Sequence, residues 1–288
     1  MSISIGLQLF SVKNALKEDY VGTLERLAAI GYRNLELVIR KTDEGLSFGG
    51  DITPAQLRNQ LDRLGMKAVG CHTRVDSQTE WEGIIAANQE IGNKDIGCSI
   101  AFFSNKEDVL DFCRSFNRYG ELLHKHGMQL YYHNHFQEFQ VFEGQTVMDL
   151  MLEHTDAELV KFELDSYWAV RGGVDPVSWL HKLGDRCRML HQKDLPAAVQ
   201  IVNWFDVFGA DSLITIDELY KTQLATDFTQ IGEGVLDIKS ILQEAAKLGH
   251  AEYVFVEQDV TSGDELEGVA LSYRNLESLL QTLGDVRA

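Results

Sequence analysis

The sequence predicts a single-domain α/β protein with a (β/α)8 TIM barrel fold over residues 1–288. A length of 288 residues suits one such barrel, which typically takes about 250 residues. Short β-rich segments alternate with helix-like segments along the whole chain, which indicates parallel strands joined by crossover helices. No Pro/Gly/Ser-rich linker divides the chain. A doubly wound open sheet is the competing interpretation of the same alternation.

Eight segments have the composition of buried strands, and helical spacing of apolar residues fills the intervals between them. The predicted strands are residues 3–9, 34–37, 67–72, 95–102, 128–133, 160–165, 187–192 and 253–257. The predicted helices are residues 20–30, a helix beginning at 53–55, and then 81–91, 106–126, 146–154, 175–182, 237–248 and 262–283. The segment 195–214 is too long for a bare connection, and we expect it to form a functional loop.

Helix boundaries support this division. Thr53 followed by Pro54 is typical of a helix N-terminus, with Thr as the cap and Pro at the first position. Glycines that precede the next strand by a few residues are expected to end helices in a left-handed conformation. These are Gly31, Gly65, Gly127 and Gly249.

Composition excludes several classes of protein. A hydrophobic fraction of 44% supports a large core, and a formal net charge of −18 without a basic stripe argues against nucleic-acid binding. No apolar run reaches the roughly 18 residues that span a membrane, and the N-terminus resembles a strand rather than a signal peptide. Four scattered cysteines, without a C-x-x-C pair, are expected to be reduced core residues. We therefore expect a cytoplasmic protein.

Polar residues gather where the predicted strands end. In a parallel barrel the active site lies at the carboxyl ends of the strands. Four consecutive strands, the fifth to the eighth, place His133, Asp165, His191 and Glu257 at comparable depths. Imidazole and carboxylate ligands in this mixture suit one divalent ion such as Mn, Mg, Co or Zn. The sequence thus predicts a metal site at this end of the barrel.

Each of these residues has a structural alternative. A single His at a strand end is often a hydrogen-bonded structural residue, and Asp165 could only cap the next helix. Glu257 is harder to explain in this way, because the preceding Val-Phe-Val predicts burial and a buried carboxylate needs a charged partner. The joint occurrence on four successive strands favours a metal or catalytic site.

The chain resembles a known family through motifs spread over nearly its whole length. They are Gly-Leu-Gln-Leu-Phe-Ser-Val from 6 to 12, His-Asn-His-x-x-Glu-Phe from 133 to 139, Glu-Leu-Asp-x-Tyr-Trp from 163 to 168, Gly-Gly-Val-Asp-Pro from 172 to 176, His-x-Lys-Asp from 191 to 194, Gly-Glu-Gly-x-x-Asp from 232 to 237, and Val-Glu-Gln-Asp from 256 to 259. They resemble the sugar phosphate isomerase/epimerase family, whose barrel is similar to that of xylose isomerase. Members include sugar epimerases, inosose dehydratase and lyases that act on 3-keto-glycosides.

The resemblance implies one divalent metal held by Glu, Asp, His and Glu at the ends of strands five to eight. By position these ligands are His133, Asp165, His191 and Glu257. The first departs from the family, because many members have Glu there. The strand-five ligand is therefore open among His133, His135 and Glu138.

The chemistry of such a site is proton transfer next to a carbonyl. A divalent ion that binds two vicinal oxygens of a hydroxy-ketone acidifies the adjacent C–H and stabilises an enediolate. Candidate catalytic residues are His135, Glu138, Glu257 and Lys193, although Lys193 with Asp194 could also be a plain surface ion pair.

Further residues are candidates for contact with a small sugar. Tyr167 and Trp168 could form the floor under a sugar ring or could simply pack in the core. The candidate substrate-binding residues are Gln8, Phe10, His72, Tyr167, Trp168 and Glu233.

These observations predict a divalent-metal-dependent isomerase or epimerase of a small carbohydrate. One alternative is a metal-dependent dehydratase or lyase acting on an inosose or 3-keto-sugar, and a second is a non-catalytic sugar-binding barrel. A relative that cleaves abasic DNA is disfavoured by the acidic charge. The expected partner is a small-molecule sugar, with no nucleic acid and no membrane, and a homo-oligomer is possible.

Overall fold

A computed structural model of the protein describes residues 3–43, 45–210 and 212–284. Within these residues, eight parallel strands close into a barrel in sequence order, and the first strand pairs with both the second and the last. Leu7, for example, lies opposite Leu35 on one side and Val256 on the other. The predicted (β/α)8 barrel is therefore confirmed, and the open sheet is excluded because the two edges of the sheet are joined.

The barrel strands match the predicted segments closely. They are β1 (Ser4–Gln8), β2 (Asn34–Val38), β3 (Lys67–Thr73), β4 (Asp95–Cys98), β5 (Gln129–His133), β6 (Val160–Asp165), β7 (Cys187–Gln192) and β8 (Tyr253–Val256). Strand β4 ends four residues earlier than the sequence indicates. Its last pair is Cys98 with Tyr132, and the chain then leaves the barrel at Ser99 to line a cavity.

Helices surround the strands. They are α1 (Lys13–Glu18), α2 (Tyr20–Ile30), α3 (Pro54–Leu64), α4 (Trp81–Ile91), α5 (Lys106–Lys125), α6 (Val147–His154), α7 (Ser166–Arg171), α8 (Pro176–Leu183), α9 (Trp204–Phe208), α10 (Ile216–Lys221), α11 (Ile238–Leu248) and α12 (Glu265–Gly284). The segment expected to be a long loop after β7 contains the short helix α9 and is followed by α10. Two small antiparallel hairpins, Arg40–Thr42 with Gly45–Ser47 and Val141–Phe142 with Gln145–Thr146, extend from the loops.

The predicted boundary signals act as expected. Thr53 and Gln56 form a reciprocal capping box at the start of α3, and Gly65 ends that helix with φ of 64°. The other three glycines expected at helix ends also have positive φ. All four cysteines are buried and free. No helix in the described part of the chain is long and apolar enough to cross a membrane.

Glycines inside the barrel make room for large side chains. A Cβ on Gly70 would lie 2.8 Å from Glu36 Oε1, and a Cβ on Gly97 would lie 2.7 Å from His72 Cδ2. Both distances are too short for real contacts, so only glycine fits beside these buried polar groups. The strands thus leave space at the centre of the barrel for ionisable residues, where branched apolar residues dominate in most TIM barrels.

We expect Gly97→Ala to lower the free energy of unfolding by about 1–3 kcal/mol, the usual effect of overpacking a dense core. The added methyl group would press on the ring of His72, which hydrogen bonds to Glu163 hold in place. Urea denaturation monitored by circular dichroism measures the change. Gly83→Ala is the matched control, because its Cβ would meet only Leu46 at 3.5 Å and Ala favours the helix. Equal stability of the two variants would contradict the packing argument.

Candidate active site

A cavity of about 540 Å³ opens at the carboxyl ends of the barrel strands. Its outer wall includes the Arg40–Thr42 hairpin and the helix α10. Its inner wall is polar, and the strand-end residues that line it are Gln8, Phe10, His72, His133, His135, Glu257 and Asp259. The cavity lies where active sites of parallel barrels are found.

Four ionisable side chains converge at the inner end of this cavity, where two of them, His133 and Glu257, line the wall and the other two lie behind it. They are His133, Asp165, His191 and Glu257, and one potential ligand atom from each lies within 4.8 Å of the others. We call this group the metal cup. On a strand, side chains that are two residues apart point to the same side, and this explains the convergence. Tyr131 and Glu163, which stand two residues before His133 and Asp165, also face the barrel interior. The four residues predicted from the sequence therefore lie close together in the fold.

The cup fits a divalent ion. His133 is 2% exposed, and neither of its ring nitrogens has a hydrogen-bond partner among the described residues. Burial and the charge of His191 lower the pKa of His133 to about 4, so its imidazole is neutral at pH 7 and keeps a lone pair available. An unpartnered neutral imidazole beside two carboxylates is the donor set expected of a site for a divalent ion.

Asp165 caps a helix with one carboxylate oxygen and directs the other toward the metal cup. Its Oδ1 accepts a hydrogen bond of 2.9 Å from the Trp168 backbone N–H and caps α7. Its Oδ2 contacts the Lys193 ammonium and lies 3.5 Å from His133 Nε2. Capping therefore uses one oxygen and leaves the other for the cup.

Lys193 is buried and contacts two residues of the metal cup. Its Nζ contacts Asp165, lies 2.5 Å from Glu257 Oε2 and lies 3.4 Å from Asp259 Oδ1. The alternative of a surface pair with Asp194 is wrong, because both residues are buried and the Asp194 carboxylate accepts instead from the backbone N–H groups of Leu195, Gly232, Gly234 and Leu236. Burial opposes the charge on Lys193, but the surrounding carboxylates outweigh it and hold its pKa well above the usual range.

His135 and Glu138 have different surroundings. His135 is half-buried on the cavity wall, and burial, together with the neighbouring His133 and the Lys193 ammonium, lowers its pKa well below the usual value. Glu138 is fully buried behind the wall, where it accepts hydrogen bonds from the Tyr132 hydroxyl at 2.7 Å and the His135 N–H at 2.8 Å. Glu138 thus supports the loop that carries His135.

We expect Glu138→Gln to reduce the loss of stability on raising the pH. Burial raises the pKa of Glu138 to about 7, whereas a carboxyl in the unfolded chain titrates near about 4.3. Between these values the folded chain binds the extra proton, so stability falls as the pH rises from about 4 to 7, by about 3 kcal/mol from this group.

Urea denaturation at pH 5 and pH 8 measures this effect. The wild type should lose more stability between the two values than Glu138→Gln does. Replacing the exposed Glu153 by Gln is the control and should leave the wild-type pH dependence in place. An unchanged pH dependence in Glu138→Gln would show that this carboxyl does not titrate as described.

A second polar group lies below the metal cup, and its carboxylates were not among the predicted site residues. Glu36, His72 and Glu163 converge with His191, again within 4.8 Å. The charges of His191 and His72 outweigh the burial of Glu163 and hold its pKa well below the usual range. The signal was present in the sequence, because Glu36 stands in a buried run and Glu163 shares the inward face of β6 with Asp165.

The residues expected to contact a sugar divide into two sets. Gln8, Phe10 and His72 line the cavity, whereas Tyr167, Trp168 and Glu233 are not among the residues found on its wall. The first turn of α7 directs Tyr167 and Trp168 into the core, where both rings contact Phe228. Glu233 is exposed on the rim and accepts a hydrogen bond of 3.0 Å from Asn275.

The chain is similar to known proteins over most of its length. The xylose isomerase-like TIM barrel family model matches residues 24–279, and the chain belongs to this family. A crystal structure of a sugar phosphate isomerase/epimerase from Parabacteroides distasonis is similar at 26% identity and a TM-score of 0.76, covering 96% of this chain and 94% of that one.

Two further relatives are informative. An inosose dehydratase from Geobacillus kaustophilus is 30% identical over 135 residues, which are 46% of this chain and 40% of the relative. The chain therefore matches less than two thirds of the length of that curated relative. The IOLI protein, whose crystal structure contains a zinc atom, has the same fold at 12% identity, with a TM-score of 0.69 and coverage of 98% and 99%. Two of these three proteins are named as enzymes, a sugar phosphate isomerase/epimerase and an inosose dehydratase.

Proposed function

We propose that this protein is a divalent-metal-dependent enzyme that removes a proton next to the carbonyl of a small carbohydrate and thereby isomerises or epimerises it. The observation that carries the proposal is the convergence of His133, Asp165, His191 and Glu257 at the base of a cavity large enough for a sugar. The IOLI protein, which shares the fold, contains a zinc atom in its crystal structure, so a barrel of this kind can hold a divalent ion. The likeness to a sugar phosphate isomerase/epimerase over nearly the whole chain supports the reaction class.

The four residues of the metal cup would hold the ion. When bound, a divalent ion draws electron density from a substrate carbonyl and makes the neighbouring C–H more acidic. His133 replaces the Glu that many family members carry, so the cup brings one negative charge fewer. This donor set favours an ion with affinity for imidazole, such as zinc or cobalt.

Proton transfer is assigned to residues on the cavity wall. His135 lines the cavity and is neutral at pH 7, so it can accept a proton from the substrate. Lys193 carries a charge beside the cup and can stabilise negative charge that develops on a substrate oxygen. Asp259 lines the cavity next to Lys193, and burial raises its pKa to about 7, so it can return a proton.

A dehydratase is the second candidate, and a separate observation favours it. The curated relatives matched by sequence are named inosose dehydratase, including the one at 30% identity. Elimination begins with the same proton removal and ends with loss of a β-hydroxyl group, which needs an acid near the leaving oxygen. Asp259 and Lys193 could supply that acid. A non-catalytic sugar-binding barrel is disfavoured by the complete set of four ligands.

The test combines metal analysis with hydrogen exchange. Purified protein should contain about one divalent ion per chain, and it should exchange solvent deuterium into members of a panel of ketoses, inososes and 3-keto-sugars. Chelator treatment should abolish exchange, and added metal should restore it. His135→Asn should lose exchange while it keeps the ion.

The products separate the candidates. Exchange with an isomeric product supports the isomerase or epimerase, whereas an unsaturated product identifies the dehydratase. A protein that binds sugars without an ion or exchange would be the non-catalytic barrel, and the proposal would be wrong.

A further inference from the structure

The polar group below the metal cup is formed by Glu36 on β2, His72 on β3 and Glu163 on β6, together with His191. We call it the lower quartet. All four side chains are at most 5% exposed. Buried carboxylates need charged or hydrogen-bonded partners, so this arrangement is costly unless each member is held by the others. Its link to the site is His191, which belongs to both groups.

The two ring nitrogens of His191 face opposite groups. Nδ1 lies 2.6 Å from Glu257 Oε2 in the metal cup. Nε2 lies 2.7 Å from Glu36 Oε2 and 3.0 Å from Glu163 Oε1 in the lower quartet. When an ion binds one ring nitrogen, the imidazole is neutral, and the nitrogen that lies between two carboxylates is the one that keeps the proton. The lone pair is then left on the nitrogen that faces the cup.

His72 fixes the two carboxylates from the other side. Its Nε2 lies 2.6 Å from Glu163 Oε2 and 3.3 Å from Glu36 Oε1. Its ring is stacked on that of His191, with centroids 5.2 Å apart and an angle of 13° between planes. Gln8 also donates to Glu36 Oε2 at 2.6 Å. Each carboxylate thus contacts both imidazoles, and turning either one would break a contact with His72.

We propose that Glu36 and Glu163 are positioning residues that hold the Nε2–H of His191, so that Nδ1 presents its lone pair to the divalent ion in the metal cup. This inference rests on the proposed function, since it requires that ion. Histidine ligands usually donate their other N–H to an acceptor, and removing that acceptor weakens metal binding about 10–100-fold. Because two carboxylates share one N–H here, the effect of removing them should be graded.

We expect a graded loss of zinc affinity when one or both carboxylates are removed. Competition with a chromophoric chelator measures the zinc affinity of the protein and its variants. Glu163→Gln and Glu36→Gln should each weaken zinc binding by about tenfold, and the double variant should approach a hundredfold. Asp227→Asn is the matched control, because this carboxylate is also buried but pairs with Arg171 and is not among the residues on the cavity wall. Its zinc affinity should stay at the wild-type value. If Glu163→Gln does not fold, the zinc affinity of Glu36→Gln alone provides the test.

The tautomer of His191 gives a second measurement. If Glu36 and Glu163 only stabilised the fold, their replacement would leave the proton on the same ring nitrogen of His191. Nitrogen-15 NMR of the zinc-loaded wild type should show Nε2 protonated and Nδ1 bound to the ion. In the double variant a fraction of His191 should be free of zinc and carry a proton on Nδ1, since no carboxylate then favours the tautomer with the proton on Nε2. Thermal unfolding of the same samples separates this effect from a general loss of stability.

The outcomes are distinguishable. If the wild type binds no zinc, the proposed function fails and this inference fails with it. If the wild type binds zinc and the variants bind it within twofold as tightly, only the positioning role is overturned. If Glu163→Gln abolishes binding while His133→Gln leaves it unchanged, the ion lies in the lower quartet, and the assigned role of its carboxylates is also wrong.

Discussion

Asp165→Asn should prevent tight binding of a divalent ion and lower turnover roughly a thousandfold or more. An ion of this kind supplies several kcal/mol of charge stabilisation, and each 1.4 kcal/mol corresponds to about a factor of ten in rate. The substitution keeps Oδ1 as the acceptor that caps α7, but it removes the charge from the oxygen that faces the metal cup. Metal analysis and the deuterium-exchange assay measure the two effects.

Asp175→Asn is the control for the capping role. Asp175 caps α8 by accepting from the Val177 and Ser178 backbone N–H groups, and it lies outside the cavity wall. Turnover should be unchanged in this variant, and both variants should remain folded. If Asp165→Asn retained the ion and its activity, the carboxylate would be a helix cap and nothing more.

The sequence was informative where one strand alone determines the position of a side chain. Alternation places Glu163 and Asp165 on the same inward face of β6, and the carboxyl ends of parallel strands share one end of a barrel. For this reason the ends of strands β5 to β8 pointed to four residues that lie close together in the fold, and their role as metal ligands stays a prediction. The closed barrel itself followed from the repeated strand–helix alternation.

Contacts across the barrel could not be predicted in the same way. Glu36 on β2 contacts His191 on β7 because the stagger of the closed sheet places the two residues at the same level along the barrel axis. Gly70 leaves the space that the Glu36 side chain needs. Neither the stagger nor the packing partner of a glycine can be read from one segment. The lower quartet therefore remained hidden, although its members were visible individually.

Aromatic residues next to the site show the same limit. Trp168 follows Asp165 by three residues, and that spacing is compatible with a sugar platform or with the core. The fold places Trp168 in the core, because capping by Asp165 starts α7 at once and the buried ring packs against Phe228 and behind His135. The direction of a side chain on a first helical turn depends on where the helix begins, and the sequence leaves this uncertain by a residue or two.

Lys193 places a positive charge where the charge of the ion would act. Its Nζ contacts one oxygen each of Asp165 and Glu257, two of the four proposed ligands. A buried ammonium and a divalent ion would therefore compete for the same carboxylates. Without an ion, Lys193 neutralises the cup. With an ion bound, Asp259 at 3.4 Å is the remaining partner, and it lies on the cavity wall.

Lys193→Met should therefore have opposite effects on stability and on metal binding. In the presence of chelator at pH 7, the free energy of unfolding should fall by about 3–5 kcal/mol, because buried carboxylates lose their partner. Zinc affinity should rise, since the competing cation is gone, and saturating zinc should recover much of the lost stability. Urea denaturation with and without zinc, together with chelator competition, measures both effects.

Lys182→Met is the control for loss of a lysine that pairs with a carboxylate. Lys182 contacts Asp149 at the surface, far enough from the cavity to be absent from its wall. Because exposed ion pairs contribute only about 0–1 kcal/mol, its stability should change little, with or without zinc. If Lys193→Met bound zinc more weakly than the wild type, Lys193 would assist the ion instead of competing with it. The ammonium would then have to leave Asp165 and Glu257 for Asp259 before the ion enters.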